Sequence, residues 1–245
     1  MRVTSLVATL IWALPWSAPP PGQREAVPFV GCPADIQGEH VAAPQGKPKL
    51  VALDRETARQ IAFYQGGNSP GVFAPRGWHC WAWSGSSGGV LLIARVSSDS
   101  PTAKHTKLVG DAVELEFLDG GTSGRFGVAR YASGLFPRIA AEFVERVKSE
   151  SALPAEDLAL GIYPADSVRY ADSMTAEFST PPNKTGLGTQ YNLAPSRDGI
   201  RGLVVLDPSA GWAMWIFRLR VGTSMSQLGA ALLRLNKECL KNRGC

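Results

Sequence analysis

The chain has 245 residues, 44% hydrophobic and 19% charged, proportions that exclude a disordered, coiled-coil or collagen-like main state. Its 25 Lys+Arg against 21 Asp+Glu leave a net charge of +4, too small to imply nucleic acid by itself, and no nucleic-acid partner is expected. The 26 glycines and 18 prolines stand above the usual combined share of roughly 12% and announce many turns.

Residues 6–16 are an apolar run behind Arg2. The run suits a signal-peptide core and falls short of the ~20 residues that span a bilayer. Residues 1–18 are therefore read as a signal peptide, although Trp16 and Pro19 depart from the small-residue pattern of a cleavage site. No later run is apolar for long enough to span. Four cysteines follow: Cys32, Cys80, Cys239 and Cys245. An even count behind a signal peptide reads as disulfides in an oxidising compartment. Three pairings exist, of which Cys32–Cys80 with Cys239–Cys245 is favoured. No CxxC pair is present and histidines are scarce, so neither a metal nor another cofactor is expected.

Residues 19–50 are Pro-rich with little periodicity and read as an extended leader, ahead of a single domain over 51–245 that could divide near 150–170. Asp54 is an N-cap candidate for a helix with Ala58, Ile61, Ala62 and Gln65 on one face, stopped by residues 66–70. Residues 78–83 and 90–94 flank a Gly/Ser turn and predict a hairpin. A second hairpin is predicted from the period-two run over 112–117, the turn at 119–121 and a return over 126–131. Residues 137–149 carry Ile139, Ala140, Phe143, Val144 and Val147 on one helical face. Strands follow over 174–180, 200–207 and 212–220. A last helix starts near Ser224, with Ser224 and Gln227 as a capping box and Met225, Leu228, Leu232, Leu235 and Cys239 as its apolar stripe. The class is α+β: hairpin-rich antiparallel sheet with about three helices, stabilised by disulfides.

Several segments resemble a family of exported bacterial proteins of unknown function. They are Gly31-Cys32-Pro33-Ala34-Asp35, Ala74-Pro75-Arg76-Gly77-Trp78-His79-Cys80, Gly85-Ser86-Ser87-Gly88, and Thr180-Pro181-Pro182 with Gly186-Leu187-Gly188-Thr189. The likeness covers residues 31–210 and brings no activity, fold or ligand. It makes the Cys32–Cys80 pair more attractive, and it implies a periplasmic or extracellular location.

Candidate chemistry is sparse. Residues 85–89 satisfy G-x-S-x-G, but strands on both sides make Ser87 a hairpin-tip residue rather than a nucleophile on a strand-to-helix turn. His79 adjoins Cys80, whose disulfide would remove the thiolate, and is read as a packed or hydrogen-bonded structural residue. Glu114 and Glu116 share a strand face and could in principle serve glycoside hydrolysis; a solvated face is the plainer reading. Trp81 and Trp83 also share a face and read as core residues, with sugar or base stacking as the alternative. Residues 111–177 carry a net −6 and residues 178–245 a net +6, the latter mostly from Arg218, Arg220, Arg234, Lys237, Lys241 and Arg243. Such a basic region could dock on an anionic envelope polymer or glycan, against the plainer reading of a solvated helix. Residues 181–199 lack any period, and Gly186-Leu187-Gly188-Thr189 beside Lys184 could aim backbone N–H groups at an anion. The expected ligand pocket therefore joins Lys184, Gly186, Gly188 and Thr189 to Arg76 and Trp78. Non-catalytic binding is the leading function, with a secreted hydrolase whose site is assembled from loops as the alternative.

Overall fold

The computed structural model describes residues 24–67, 69–95, 107–150 and 163–243. In chain order the elements are β1 (Glu25–Val27), β2 (Phe29–Cys32), β3 (Ala34–Ile36), β4 (Glu39–Val41), β5 (Lys49–Val51), α1 (Arg55–Arg59), β6 (Ile61–Gly66), β7 (Val72–Pro75), β8 (His79–Gly85), β9 (Gly88–Ala94), β10 (Ala112–Leu118), α2 (Arg125–Leu135), α3 (Ala141–Glu150), β11 (Ser167–Asp172), β12 (Thr175–Thr180), β13 (Ile200–Asp207), β14 (Ala213–Arg220) and α4 (Ser226–Lys241). This is the expected α+β class with mostly antiparallel sheet. Nine strands make the main sheet in the order β11-β12-β13-β14-β10-β9-β8-β3-β4, with only β3 and β8 parallel. A three-stranded sheet β2-β6-β7 and a pair β1-β5 stand apart from it.

The main sheet is covered on both faces, so its central strands have no solvent face to leave polar. Val113, Leu115, Phe217 and Leu219 point to one core, shared with the small sheet, α1 and α4. Ala112, Met214 and Ile216 point to a second core, closed by Val128 and Ala132 of α2 and Phe143 and Val147 of α3. The sheet runs unbroken from β8–β10 into β11–β14, on both sides of the place where a subdivision was expected.

Several expectations need correction. The Pro-rich stretch is no extended leader, because it holds β1 to β4 and the start of β5, and β2 and β3 pair with β6 and β8; Ala34 sits beside Ala82 and Phe29 beside Phe63. Asp54 does cap a helix, accepting from the Thr57 N–H at 2.9 Å, but the helix ends at Arg59. Ile61, Ala62, Phe63 and Tyr64 are all fully buried, the signature of a strand covered on both faces rather than of a helix stripe. The β8–β9 hairpin forms as expected around Ser86 and Ser87, with Gly85 opposite Gly88. The second hairpin does not form. β10 already has β9 and β14 as neighbours, so no edge remains for a returning strand, and residues 125–135 fold back as α2. Gly124 makes that exit possible, since a Cβ there would lie 2.1 Å from the Ser87 carbonyl oxygen. α3 begins at Ala141, leaving Ile139 exposed before it. The capping box of α4 is not made: residues 223–225 form a 3-10 turn, and no side chain caps the helix. Residues 1–18 lie outside the described residues.

Cys32 and Cys80 are joined, tying the end of β2 to the start of β8 and hence the small sheet to the large one. Cys239 is also disulfide-bonded, and its expected partner, Cys245, lies outside the described residues. The Cys32–Cys80 bridge closes a separation of 48 residues, worth about 4 kcal/mol in loop entropy. Replacing both cysteines by alanine should lower stability by about that amount in urea unfolding. A loss below about 1 kcal/mol would show that the bridge adds little to the packing around it.

Candidate functional site

The loop expected to form a site is built inward instead. Gly186 is extended, with φ −169°, and its need for glycine is one of space: a Cβ there would meet Asp166 Oδ1 at 2.0 Å. The amides that were to hold an anion are already occupied by the chain itself. Leu187 N–H donates to Asp166 Oδ2 at 2.7 Å, Gly188 N–H to Thr180 Oγ1 at 3.0 Å, and Gly186 N–H to Thr189 Oγ1 at 3.0 Å. The buried Thr189 also offers its carbonyl to Lys107 Nζ at 2.8 Å. Lys184 stays exposed. Leu187 and Leu193 anchor this loop in the second core, whereas Trp78 packs against the first. Arg76, exposed at the end of β7, and Trp78, whose N–H donates to Tyr64 Oη at 3.2 Å, therefore lie on the other side of the main sheet. Among the described residues, the two halves of the expected pocket are not brought together.

The carboxylates expected on a solvated face are buried. Glu114 has no exposure and stands directly across from Arg218, also fully buried, in the β10–β14 ladder. Arg218 Nη1 donates to Glu114 Oε1 at 2.7 Å, Nη2 to Glu116 Oε2 at 2.8 Å, and Nε to the Leu187 carbonyl at 2.8 Å. Tyr131 of α2 accepts from Nη2 at 3.2 Å, and the Asn192 N–H donates to Glu114 Oε2 at 3.0 Å. Burial pushes the Glu114 carboxyl up, while Arg218 pulls it back. Burial likewise pushes Tyr131 well up, reinforced by Glu116. Burial opposes charge on Arg218, but Glu116, Tyr131 and Glu114 more than offset it and hold the guanidinium protonated. Arg220, equally buried, donates to the carbonyls of Gly110, Ala194 and Leu108, each at 2.6 Å. Two of the six cations expected on a basic surface are thus internal braces. Packing beneath α2 keeps both carboxylates away from any dissolved substrate.

The other expected residues are placed simply. Ser87 is an exposed hairpin-tip residue, and His79 is exposed at the start of β8 rather than packed. Trp83 is buried in the second core and stacks on Tyr191, while the half-buried Trp81 meets His40.

An open, charged groove of about 430 Å³ lies where α4 meets the outer strands. Sheet register makes its floor. Ser167, Ser179 and Arg201 line up across β11, β12 and β13, and Arg169, Glu177 and Leu203 form the next row. Arg234 and Lys237 of α4 make the wall. Gly229 of α4 packs against Val221, where a Cβ would lie 3.0 Å from Cγ2, and stands beside Arg201. Burial works against the charge of Glu177, but hydrogen bonds from Lys237, at 2.9 Å, and from Arg169 outweigh it and hold its carboxyl below the ordinary range. Arg201 and Arg234, both exposed, make no ion pair or side-chain hydrogen bond with any other described residue. Sequence reasoning singled out Arg234 and Lys237 by charge but missed Ser167 and Ser179. Their signal was alternation with apolar partners on strands, visible only once the register was known. Comparison with protein families, with curated proteins and with solved structures finds no match to this chain.

Removing Arg218 should leave two buried carboxylates without their cation. Arg218→Met is expected to cost about 3–5 kcal/mol, whereas replacing Glu114, Glu116 and Arg218 together by apolar residues should recover much of that loss. The pH dependence has a definite sign. A carboxyl whose folded pKa is raised stabilises fully below its unfolded pKa and loses that contribution as pH rises through the folded value. Without Arg218, burial alone drives Glu114 further up, so the variant should lose more stability at pH 8 than at pH 5 in parallel urea titrations. A pH-independent loss would mean that packing, not charge, dominates.

Proposed function

We propose that this is an exported, non-catalytic binding protein that takes an anionic envelope polymer or glycan in the groove between α4 and strands β11–β13. The observation that carries this reading is the pair of guanidiniums, Arg201 and Arg234, left without a carboxylate where Arg169 and Lys237 share that of Glu177. Two like charges held near one another repel, and an anion between them removes that repulsion while receiving charge-assisted hydrogen bonds. The groove is open along the strands, which suits a chain better than a small enclosed ligand. The Cys32–Cys80 bridge and the apolar run over residues 6–16 support an oxidising, exported location. The hydrolase reading loses support because Glu114 and Glu116 are sealed in the core and engaged by Arg218.

Calorimetric titration with soluble polyanions, inorganic polyphosphate and polygalacturonate, tests the groove. The wild-type chain should bind at least one of them at low salt, and more weakly as salt rises. Arg201→Ala with Arg234→Ala should weaken binding by about tenfold or more at an unchanged melting temperature, because both side chains are exposed and unpaired. Binding that survives the double variant would place the ligand elsewhere.

A further inference from the structure

We infer that Ser167, Ser179, Arg201 and Arg234 form a subsite for a tetrahedral oxyanion, so that the polymer taken by the groove is one linked through phosphate; this rests on the groove reading above. Ser167, Ser179 and Arg201 stand side by side on one face of three adjacent strands. With strands about 4.8 Å apart, their donors fall within a row of roughly 10 Å. Neither serine hydroxyl is hydrogen-bonded to another described residue, so both are free to donate. Arg234 adds its fork from the helix wall.

This donor set separates two kinds of anion. A carboxylate is planar, with two oxygens that one guanidinium fork can satisfy. A phosphate presents oxygens in several directions and accepts from the floor and the wall together. Hydroxyls contribute a hydrogen bond without charge, so they add little to general attraction and much to the choice of oxyanion. The adjacent row sets the spacing. Glu177 holds both Arg169 and Lys237, so that row carries one carboxylate and a smaller excess of positive charge than the first. A chain whose phosphates alternate with uncharged polyol or sugar units fits this sequence of a row with no acid followed by one that holds a carboxylate. A polymer with a negative charge on every unit would bring an anion against Glu177.

The test is a titration of the full chain with an oligo(glycerol phosphate) and with an oligogalacturonate of equal charge. The phosphate oligomer is expected to bind about tenfold more tightly. Ser167→Ala with Ser179→Ala should remove most of that preference and leave oligogalacturonate binding unchanged, at an unaltered melting temperature. Arg201→Ala with Arg234→Ala should weaken both. Equal binding of the two oligomers, or a preference that survives the serine variant, would overturn the phosphate subsite while leaving the groove reading in place. Failure of the arginine variant to weaken either ligand, or no binding of either at low salt, would overturn the groove as well. Phosphatidylglycerol vesicles form the last arm: binding to vesicles without binding to the soluble oligomer would assign the phosphate to a lipid surface and overturn the polymer.

Discussion

The cross-strand pair of Glu114 and Arg218 is the interaction on which the second half of the molecule turns. One guanidinium binds two carboxylates on β10, the Tyr131 hydroxyl of α2 and the Leu187 carbonyl of the long loop. It therefore fixes the sheet, the helical layer and the loop to each other in a single buried cluster. Charges so deep in a protein are costly to desolvate, and apolar residues of equal volume would often be as stable. Hydrogen bonds add what apolar packing lacks, namely direction. Glu114 must face Arg218 in the β10–β14 ladder, and a slip of β10 by one residue would turn its carboxylates to the opposite, apolar face and part them from Arg218.

Arg220 extends the same logic by two residues. Its three carbonyl partners lie in residues 108–110 and 194, segments with little regular structure of their own. Asp166 works from the opposite direction, receiving the Leu187 N–H and the Thr180 hydroxyl. A loop of this length needs partners for its buried backbone groups. Here most of the partners named are charged side chains, which is why a segment without periodicity can be ordered. The glycines serve close approach: Gly188 has Ile200 and Thr180 so near that a Cβ would lie 2.7 Å from Ile200.

The class of fold was legible because alternation and turn chemistry are local. β8 and β9, β13 and β14, and α4 all follow from patterns contained within their own residues. The return of residues 126–131 as a helix was not legible, since it depends on both neighbours of β10 being occupied from elsewhere in the chain. The burial of Glu114 and Arg218 left a faint trace. Acids two apart on one strand, each among apolar residues, meet an arginine on another when the strands pair, Glu114 opposite Arg218. Reading it requires knowing that β14 lies beside β10, a pairing that spans about a hundred residues of chain.

The same accounting locates the groove. The net positive charge of residues 178–245 suggested a diffuse basic face, but most of that charge is engaged. Arg218 and Arg220 are inside, Lys237 is held by Glu177, Lys241 by Asp172, and Arg243 by Asp207. Each of the last three pairs links α4 or its end to a carboxylate on β11, β12 or β13, and burial of those carboxylates is outweighed by the bonds they receive. The acids of the sheet thus consume the helix's cations one by one along its length, from Lys237 to Arg243. Arg234 comes a turn too early to meet Glu177, and the floor at that level holds Arg201 and two serines instead of an acid. Through strand register and helix periodicity, the positive excess of residues 178–245 leaves two guanidiniums, unpaired among the described residues, beside the middle of α4. At that level two guanidiniums share the groove without an acid of their own, because the acids nearby are held by other cations.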